Sequence, residues 1–453
     1  MIRPKFLIII LDACVALLGL ALAYLVRFGD ATSLQMLWAP GMFGILCYLL
    51  TVVFTAYFYD LYDYQKFNNF AYVLQRTAIA AITSFFALSA IFYMFPGLRF
   101  WRGVLVLMIV FNSFGQIGLR MLLQKFLRAS IFAHRILIVG AGELAGKVAS
   151  IIPPDDNIHS YVRFVACTDN KPLVDPSLIV GHIKDLGDIL QDYRPQKLIL
   201  SLAERRGNLP LKEIMHSKLK GVEVLDATTF FEQIKGCLMI ENMQPSSFVY
   251  THRFRMTPFM RSYKRLFDVV LSVVGLTIAA PLFPLIALAV KFDSPGPVLF
   301  KQLRVGEREV EYFVYKFRTM AENAESKTGA VWAQKNDPRV TRIGRFLRKT
   351  RLDEIPQLFN VLKGDMSFIG PRPERMAFVE RLKETIPFYS TRHFVKPGVT
   401  GWAQVCYPYG ASDEDALEKL RYDLYYIKNY SILLDFRIIL ETIRVVTSGF
   451  GGR

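Results

Sequence analysis

Four long apolar runs near the start of the chain limit what it can fold into. Residues 6–26, FLIIILDACVALLGLALAYLV, carry one charge, Asp12, and residues 41–59, 77–98 and 103–119 carry none. A helix rises about 1.5 Å per residue, so roughly 20 apolar residues cross the ~30 Å hydrocarbon layer of a bilayer. The pattern predicts four membrane-spanning helices within residues 1–130. It excludes an ordinary soluble enzyme, and 52% hydrophobic residues exclude a disordered chain. The first run is long and others follow it, so a cleaved signal peptide is not expected.

Lys and Arg collect on the cytoplasmic side of membrane spans. One side of the expected bundle holds Arg3, Lys5, Lys66, Arg76, Arg120, Lys125, Arg128 and Arg135; the other holds Arg27, Arg99 and Arg102. Eight against three places both ends of the bundle, and everything after Arg135, in the cytosol. An acidic residue inside a span hints at function. Asp12, however, lies about two turns from the interface, where local hydration would satisfy it. Lys and Arg outnumber Asp and Glu by 55 to 39, a net charge of +16. Such an excess suits nucleic acid, anionic lipid or phosphate-bearing substrates, and the membrane spans favour the last two. The expected partners therefore include membrane lipids and no nucleic acid. Cys14, Cys47, Cys167, Cys237 and Cys406 form no C-x-x-C, and the six histidines no H-E-x-x-H. No disulfide framework or zinc site follows.

Residues 133–250 read as a Rossmann-like α/β module. RILIVGAGELAGKVASII gives a strand, a Gly-rich turn and a helix, and Gly140, Gly142 and Ala145 fit the G-x-G-x-x-G/A pattern. A second strand, YVRFVACTD, ends at Asp169, where an acidic ribose ligand would fall, and a third is expected over 197–204. A scaffold without bound nucleotide is the favoured reading, and G-x-x-x-x-G-K is not met. The pair Tyr193 and Lys197 has the Y-x-x-x-K spacing of an NAD-dependent sugar-nucleotide dehydratase. Pro195 lies between them and breaks the helix that would align them.

A second apolar stretch, residues 264–291, is flanked by Lys264, Arg265 and Lys291 and contains Pro281 and Pro284. It is long enough to cross, but a crossing would leave the Lys- and Arg-rich remainder outside. A re-entrant helix that bends at Ala280 and Pro281 and returns to the same face is expected, with its charged ends among headgroups. A fifth crossing is the alternative.

Chemistry concentrates in residues 292–405. Asp353 and Glu354 begin an apparent helix, DEIPQLFNVLKG, with Pro356 in its first turn and Gly364 as its stop. Asp353 could serve only as an N-cap. Two adjacent carboxylates near many arginines also suit phosphoryl chemistry, one attacking phosphorus and the other holding Mg2+. Arg339, Arg342, Arg345, Arg348 and Arg351 recur every three residues. Most of that row reads as a solvated or headgroup face, while Arg348 and Arg351, nearest the acidic pair, suit a diphosphate. Arg372 sits in a stiff Pro-Arg-Pro turn that would present it for bidentate contact. Lys316, Arg318 and Lys396 are further substrate candidates or simple surface charge. Trp402 reads as core or interfacial rather than as a stacking platform for a base.

Three ordered segments carry a resemblance: KQLRVGEREVEYFVYKFRTM (301–320), TRIGRFLRKTRLDEIPQLFNVLKGDMSFIGPRPE (341–374) and VKPGVTGWAQV (395–405). Together with the helix at 264–291, the chain from Tyr263 onward resembles the bacterial sugar transferases, monotopic phosphoglycosyl transferases of exopolysaccharide, capsule and O-antigen synthesis. The resemblance implies that Asp353 attacks the β-phosphate of a UDP-sugar, releasing UMP and leaving a phosphosugar-aspartate. Polyprenyl (undecaprenyl) phosphate then attacks that intermediate. It assigns Glu354 to Mg2+ or acid/base work, Arg348 to the substrate, and the protein to the bacterial inner (cytoplasmic) membrane with its catalytic part in the cytosol. It leaves a homodimer open and does not name the sugar. The family's helix break carries Ser-Pro, whereas here Ala280 precedes Pro281, which removes one hydroxyl partner for the freed carbonyls. The expected fold is thus a membrane protein of mixed α and α/β class: a four-helix transmembrane bundle (1–130), a Rossmann-like module (133–250), and a mainly helical catalytic domain (263–453) with a re-entrant membrane helix. The rival functions are the anchored dehydratase and a non-catalytic scaffold for polymer export.

Overall fold

The structure, a computed structural model, describes residues 4–29, 41–62, 67, 70–128, 135–152, 162–167, 172–201, 210–243, 256–321, 337–408, 410 and 412–448. The chain forms two compact units, Met1–Val224 and Leu225–Arg453. It is mostly helical among the described residues, with four helices long and apolar enough to cross a membrane and a five-stranded sheet whose central strands run parallel.

The first unit opens with α1 (Pro4–Phe28), α2 (Gly41–Phe58), α3 (Phe70–Met94) and α4 (Arg102–Arg128). Leu20, Tyr24, Tyr48 and Met108 are fully buried between helices, while Leu18, Phe43, Phe86 and Phe114 face outward. A surface as apolar as the interior is what lipid requires. Close approach of α1 and α4 depends on a missing side chain: a Cβ on Gly115 would lie 2.5 Å from Val15 Cγ1. The third helix begins earlier than its charge-free run and takes in Arg76; its C-terminal end gives way to a 3-10 turn at Pro96–Leu98.

The fourth helix corrects a larger expectation. It does not stop before Arg120 but continues to Arg128, and Arg120 is 1% exposed. Its Nη1 and Nη2 donate to Asp12 Oδ1 at 3.0 Å and Oδ2 at 2.8 Å, its Nε to the Leu61 carbonyl at 3.2 Å, and Gln116 donates to Asp12 at 3.3 Å. Asp12 is satisfied by this bidentate pair, not by interfacial hydration. Arg120 therefore leaves the loop count, which becomes seven against three, with the same sign.

The sheet has the order β3-β2-β1-β4-β5. Its strands are β1 (Ile136–Val139), β2 (Val162–Ala166), β3 (Ile179–His182), β4 (Lys197–Leu200) and β5 (Glu223–Asp226). The β1–β2, β1–β4 and β2–β3 pairs are parallel, and β1 is buried throughout, as a strand covered on both faces must be. Helices α5 (Glu143–Ser150), α6 (Leu186–Tyr193) and α7 (Leu211–Leu219) complete the module. Gly140 has φ +126°, and a Cβ there would meet the Ser201 carbonyl oxygen at 2.3 Å. Only glycine fits that turn. Asp169 and residues 202–204 lie outside the described residues. Tyr193 ends α6, whereas Lys197 opens β4 and pairs with Glu223 at 3.1 Å. They do not share a helix, so the dehydratase pairing fails.

The second unit begins with α8 (Ala227–Lys235) and then α9 (Pro258–Ala279) and α10 (Leu282–Asp293), which meet at a 64° bend over Ala280 and Pro281. The base of α9 departs from the expected headgroup contacts. Lys264 Nζ is buried against Tyr426 OH at 3.0 Å and Asp435 Oδ2 at 3.1 Å. Arg265 donates to the Val361 and Leu362 carbonyls, both at 2.6 Å. Beyond α10 come the antiparallel β6 (Leu299–Val305) and β7 (Glu311–Phe317), then α11 (Arg342–Thr350) and α12 (Gln357–Lys363). Strand β8 (Ser367–Ile369) pairs in parallel with β9 (Gly398–Thr400), and α13 (Met376–Thr385), α14 (Asp413–Lys428) and α15 (Ile432–Ser448) enclose a core that includes Ile369, Leu382, Tyr389, Leu424 and Ile438. Trp402 is part of this core, donating its indole N–H to the Gly236 carbonyl at 2.7 Å.

Replacing Arg120 by methionine would leave the Asp12 carboxylate buried without its cation. Unfolding of the detergent-solubilised protein is expected to become easier by about 3–5 kcal/mol. Combining Asp12→Leu with Arg120→Met is expected to restore most of that stability.

Candidate functional site

Four short segments build the site. Strand β7 supplies Lys316. Helix α11 is started by Thr341, whose hydroxyl accepts from Gly344 N at 3.0 Å, and it ends at Arg351 in the left-handed region, φ 59°. That reversal turns the chain into a 3-10 turn, Leu352–Glu354, which holds the acidic pair. Pro356 then caps α12, and Gly364, φ 98°, stops it. The helix expected from Asp353 onward thus begins four residues later, at Gln357. Asp353 makes no capping bond, so capping does not account for it.

Both carboxylates are 7% exposed. Glu354 Oε1 accepts from Lys316 Nζ at 2.8 Å and from Arg372 Nη2 at 2.7 Å. Burial by itself would raise the Glu354 pKa, but Arg372, then Lys316 and Arg351, outweigh it and hold the group well below the usual carboxylate range. Asp353 behaves oppositely. Burial and then the neighbouring Glu354 charge push it up to about 6, against the pull of Lys316, Arg348 and Arg372. Its Oδ1 is buried and has no hydrogen-bond partner. Adjacent carboxylates with divergent pKa values mark a division of labour: Glu354 is a permanent anion that gathers cations, and Asp353 keeps an uncommitted oxygen.

Arg348 and Arg351 join this cluster electrostatically, Arg348 with its Nε on Thr319 Oγ1 at 2.9 Å. Arg342 and Arg345 are exposed, and Arg339 binds Asp337. Lys396 and Arg318 sit apart from the two carboxylates' closest partners. The Lys396 ammonium lies near Gly364 and Arg265, at the far end of α12. Arg318 donates its Nη2 to the Ser294 carbonyl at 2.6 Å. No group of three or more His, Cys, Asp or Glu side chains suited to a metal occurs among the described residues. Mg2+ commonly takes only one or two carboxylates and completes its shell with water and substrate phosphates. Glu354, with the uncommitted Asp353 oxygen beside it, meets that lesser requirement.

Three supporting residues escape a reading of the sequence. Asn360, fully buried, donates to the Phe313 carbonyl at 2.6 Å and accepts from Tyr315 N at 3.1 Å, stitching α12 to β7. Arg392 donates to the Arg372 carbonyl at 3.0 Å, to Asp423 at 2.8 Å and to Tyr389 OH at 2.7 Å, bracing the Pro-Arg-Pro turn from behind. Asp268 on α9 accepts from Ser367 Oγ and Phe368 N, each at 2.9 Å, holding β8. For Asn360 and Asp268 the only signal is polarity in an apolar run; Arg392, between Thr391 and His393, carries none.

The family model described as "Bacterial sugar transferase" matches residues 259–449. The chain is 48% identical over 197 residues to a UDP-N-acetylgalactosamine-undecaprenyl-phosphate N-acetylgalactosaminephosphotransferase of Aeromonas hydrophila, covering 44% of this chain and 46% of the relative. It is 42% identical over 319 residues to an undecaprenyl-phosphate glucose phosphotransferase of Komagataeibacter xylinus, covering 69% and 59%. It is 45% identical over 185 residues to the exopolysaccharide production protein PSS of Rhizobium leguminosarum bv. phaseoli, covering 40% of this chain and 92% of that protein. The match thus spans about half the length of the first two relatives.

Asn360→Ala removes both bonds between α12 and β7 and strands a backbone N–H and a carbonyl. A loss of about 2–4 kcal/mol in unfolding free energy is expected, with the Lys316 to Glu354 contact loosened; chemical denaturation of the two proteins side by side checks it.

Proposed function

Because the chain belongs to the bacterial sugar transferase family, we propose that it transfers a sugar-1-phosphate from a UDP-sugar to undecaprenyl phosphate, releasing UMP and starting an exopolysaccharide or related glycan. The observation that carries the site assignment is the buried Asp353 oxygen without a partner, beside a Glu354 whose charge is already neutralised by Lys316 and Arg372.

Asp353 is the nucleophile. Its oxygen forms a bond to the β-phosphorus, the bond from that phosphorus to the bridging oxygen breaks, and UMP departs with the electron pair. A phosphate oxygen of the lipid then attacks the same phosphorus and displaces the aspartate, giving the polyprenyl-diphospho-sugar and restoring the carboxylate. Arg348, Arg351 and Arg372 set positive charge where the diphosphate lies. Lys316 serves the diphosphate through Glu354, which it shares with Arg372. Lys396, at the far end of α12, is left to surface charge. Glu354 and the substrate's phosphate oxygens would hold Mg2+, which when bound would neutralise the negative charge that develops on the departing UMP.

The sheet order and the Gly140 turn support a Rossmann-like module. The positive-inside count supports an inner-membrane protein with this module and the catalytic part in the cytosol. The 64° bend supports a re-entrant α9–α10 pair.

The experiment is UMP release from a panel including UDP-glucose and UDP-N-acetylgalactosamine, with undecaprenyl phosphate supplied. One sugar is expected to give UMP, and Asp353→Asn to reduce the rate at least about a thousandfold, as befits a lost nucleophile. The wild-type rate is expected to fall as pH drops through about 6, because protonation removes the attacking carboxylate. No UMP from any sugar, or an unimpaired Asp353→Asn, would overturn the assignment. For topology, single cysteines placed across residues 292–320 are expected to react only with reagent admitted to the cytosolic side; labelling from outside would mean a fifth crossing.

A further inference from the structure

Arg318 is the exception among the cations near the site. It is 7% exposed, and of its three guanidinium nitrogens only Nη2 has a partner, the Ser294 carbonyl at 2.6 Å. Its Nε and Nη1 are buried without any hydrogen-bond partner. No carboxylate forms an ion pair with it among the described residues. A buried cation with unused donors is costly and uncommon unless an anion is meant to arrive.

Its position says which anion. The backbone N–H of Arg318 donates to Val298 O, extending the β6–β7 ladder by one residue. Residues two apart on such a strand share a face, about 7 Å apart. Arg318 therefore lies on the face of Lys316, the residue bound to Glu354, but one step further along. That step leads to Ser294, the first residue after α10. The next residue, Thr319, receives Arg348, which acts on Asp353. Arg318 thus stands along the chain just beyond the residue that binds Glu354, and its side chain touches the point where the apolar hairpin ends. A UDP-sugar is soluble and can approach from the aqueous side. A polyprenyl chain cannot leave the bilayer, so its phosphate must be met beside the membrane-embedded element.

We propose that Arg318 receives the phosphate monoester of the polyprenyl acceptor, and that the cations around Glu354 serve the nucleotide diphosphate. The inference rests on the transferase reading above. It divides the basic residues by substrate: Arg348, Arg351 and Arg372 for the donor, Arg318 for the acceptor. A planar guanidinium with free donors suits a phosphate better than an ammonium does.

The test is steady-state kinetics of the full-length protein in lipid nanodiscs, varying undecaprenyl phosphate and the UDP-sugar separately, for wild type, Arg318→Gln and Arg318→Lys. Arg318→Gln is expected to raise KM for undecaprenyl phosphate at least tenfold while KM for the UDP-sugar changes less than threefold. Arg318→Lys is expected to fall between it and wild type. Labelling of the protein by a UDP-sugar carrying a radioactive β-phosphate, without acceptor, reports the first half-reaction alone and is expected to persist in both variants. A KM rise confined to the UDP-sugar would assign Arg318 to the nucleotide and overturn the proposal. Unchanged constants in both variants would do the same, as would loss of labelling in folded Arg318→Lys. Wild-type protein that neither labels nor releases UMP would instead remove the transferase reading itself.

Discussion

One carboxylate oxygen gathers the site. Oε1 of Glu354 receives Lys316 from a strand 38 residues earlier and Arg372 from a turn 18 residues later. A buried carboxylate alone would be strongly unfavourable, and two charge-assisted hydrogen bonds offset that. Once Glu354 is held as an anion, Asp353 beside it feels both burial and a neighbouring negative charge, and its proton affinity rises. The unlike behaviour of two adjacent acids therefore follows from which of them meets the cations.

The pieces that meet at Glu354 are themselves fixed by buried polar contacts. Asn360 binds α12 to β7, and Arg392 holds the carbonyl of Arg372. The base of α9 then ties these pieces to the bent apolar pair. Arg265 caps the end of α12, Asp268 holds β8, and Lys264 reaches Asp435 on α15. The elements on either side of the acidic pair thus share one anchor, the helix that leads into the apolar hairpin. The four-helix bundle uses the same device in Asp12 and Arg120, where a bidentate pair in an apolar interior fixes α1 against α4.

Much of this was legible in the chain. Charge-free runs long enough for a bilayer became α1 to α4, because hydrophobicity over 20 residues is a property of sequence alone. The proline break at Ala280 and Pro281 became a bend, and Gly364 a helix stop, since each acts through its own backbone. What misled was charge taken as a sign of exposure. Arg120 looked like the end of a span and Lys264 like a headgroup contact. Both are buried, because each meets a carboxylate more than 100 residues away in sequence. Asn360 and Arg392 were illegible because their partners, Phe313 47 residues away and Asp423 31 residues away, are met only on folding.

By itself, then, the sequence determined local matters: where helices run, where they bend or stop, and that acidic and basic residues suited to phosphoryl chemistry recur between 301 and 405. Tertiary structure alone decided which cation meets which anion. Lys316 and Arg372 went to Glu354, Arg348 stood near Asp353, Lys396 went to the far end of α12, and Arg318 was left with donors unused. Burial makes each such pairing energetically decisive, and burial is set by the packing of segments that the chain keeps far apart.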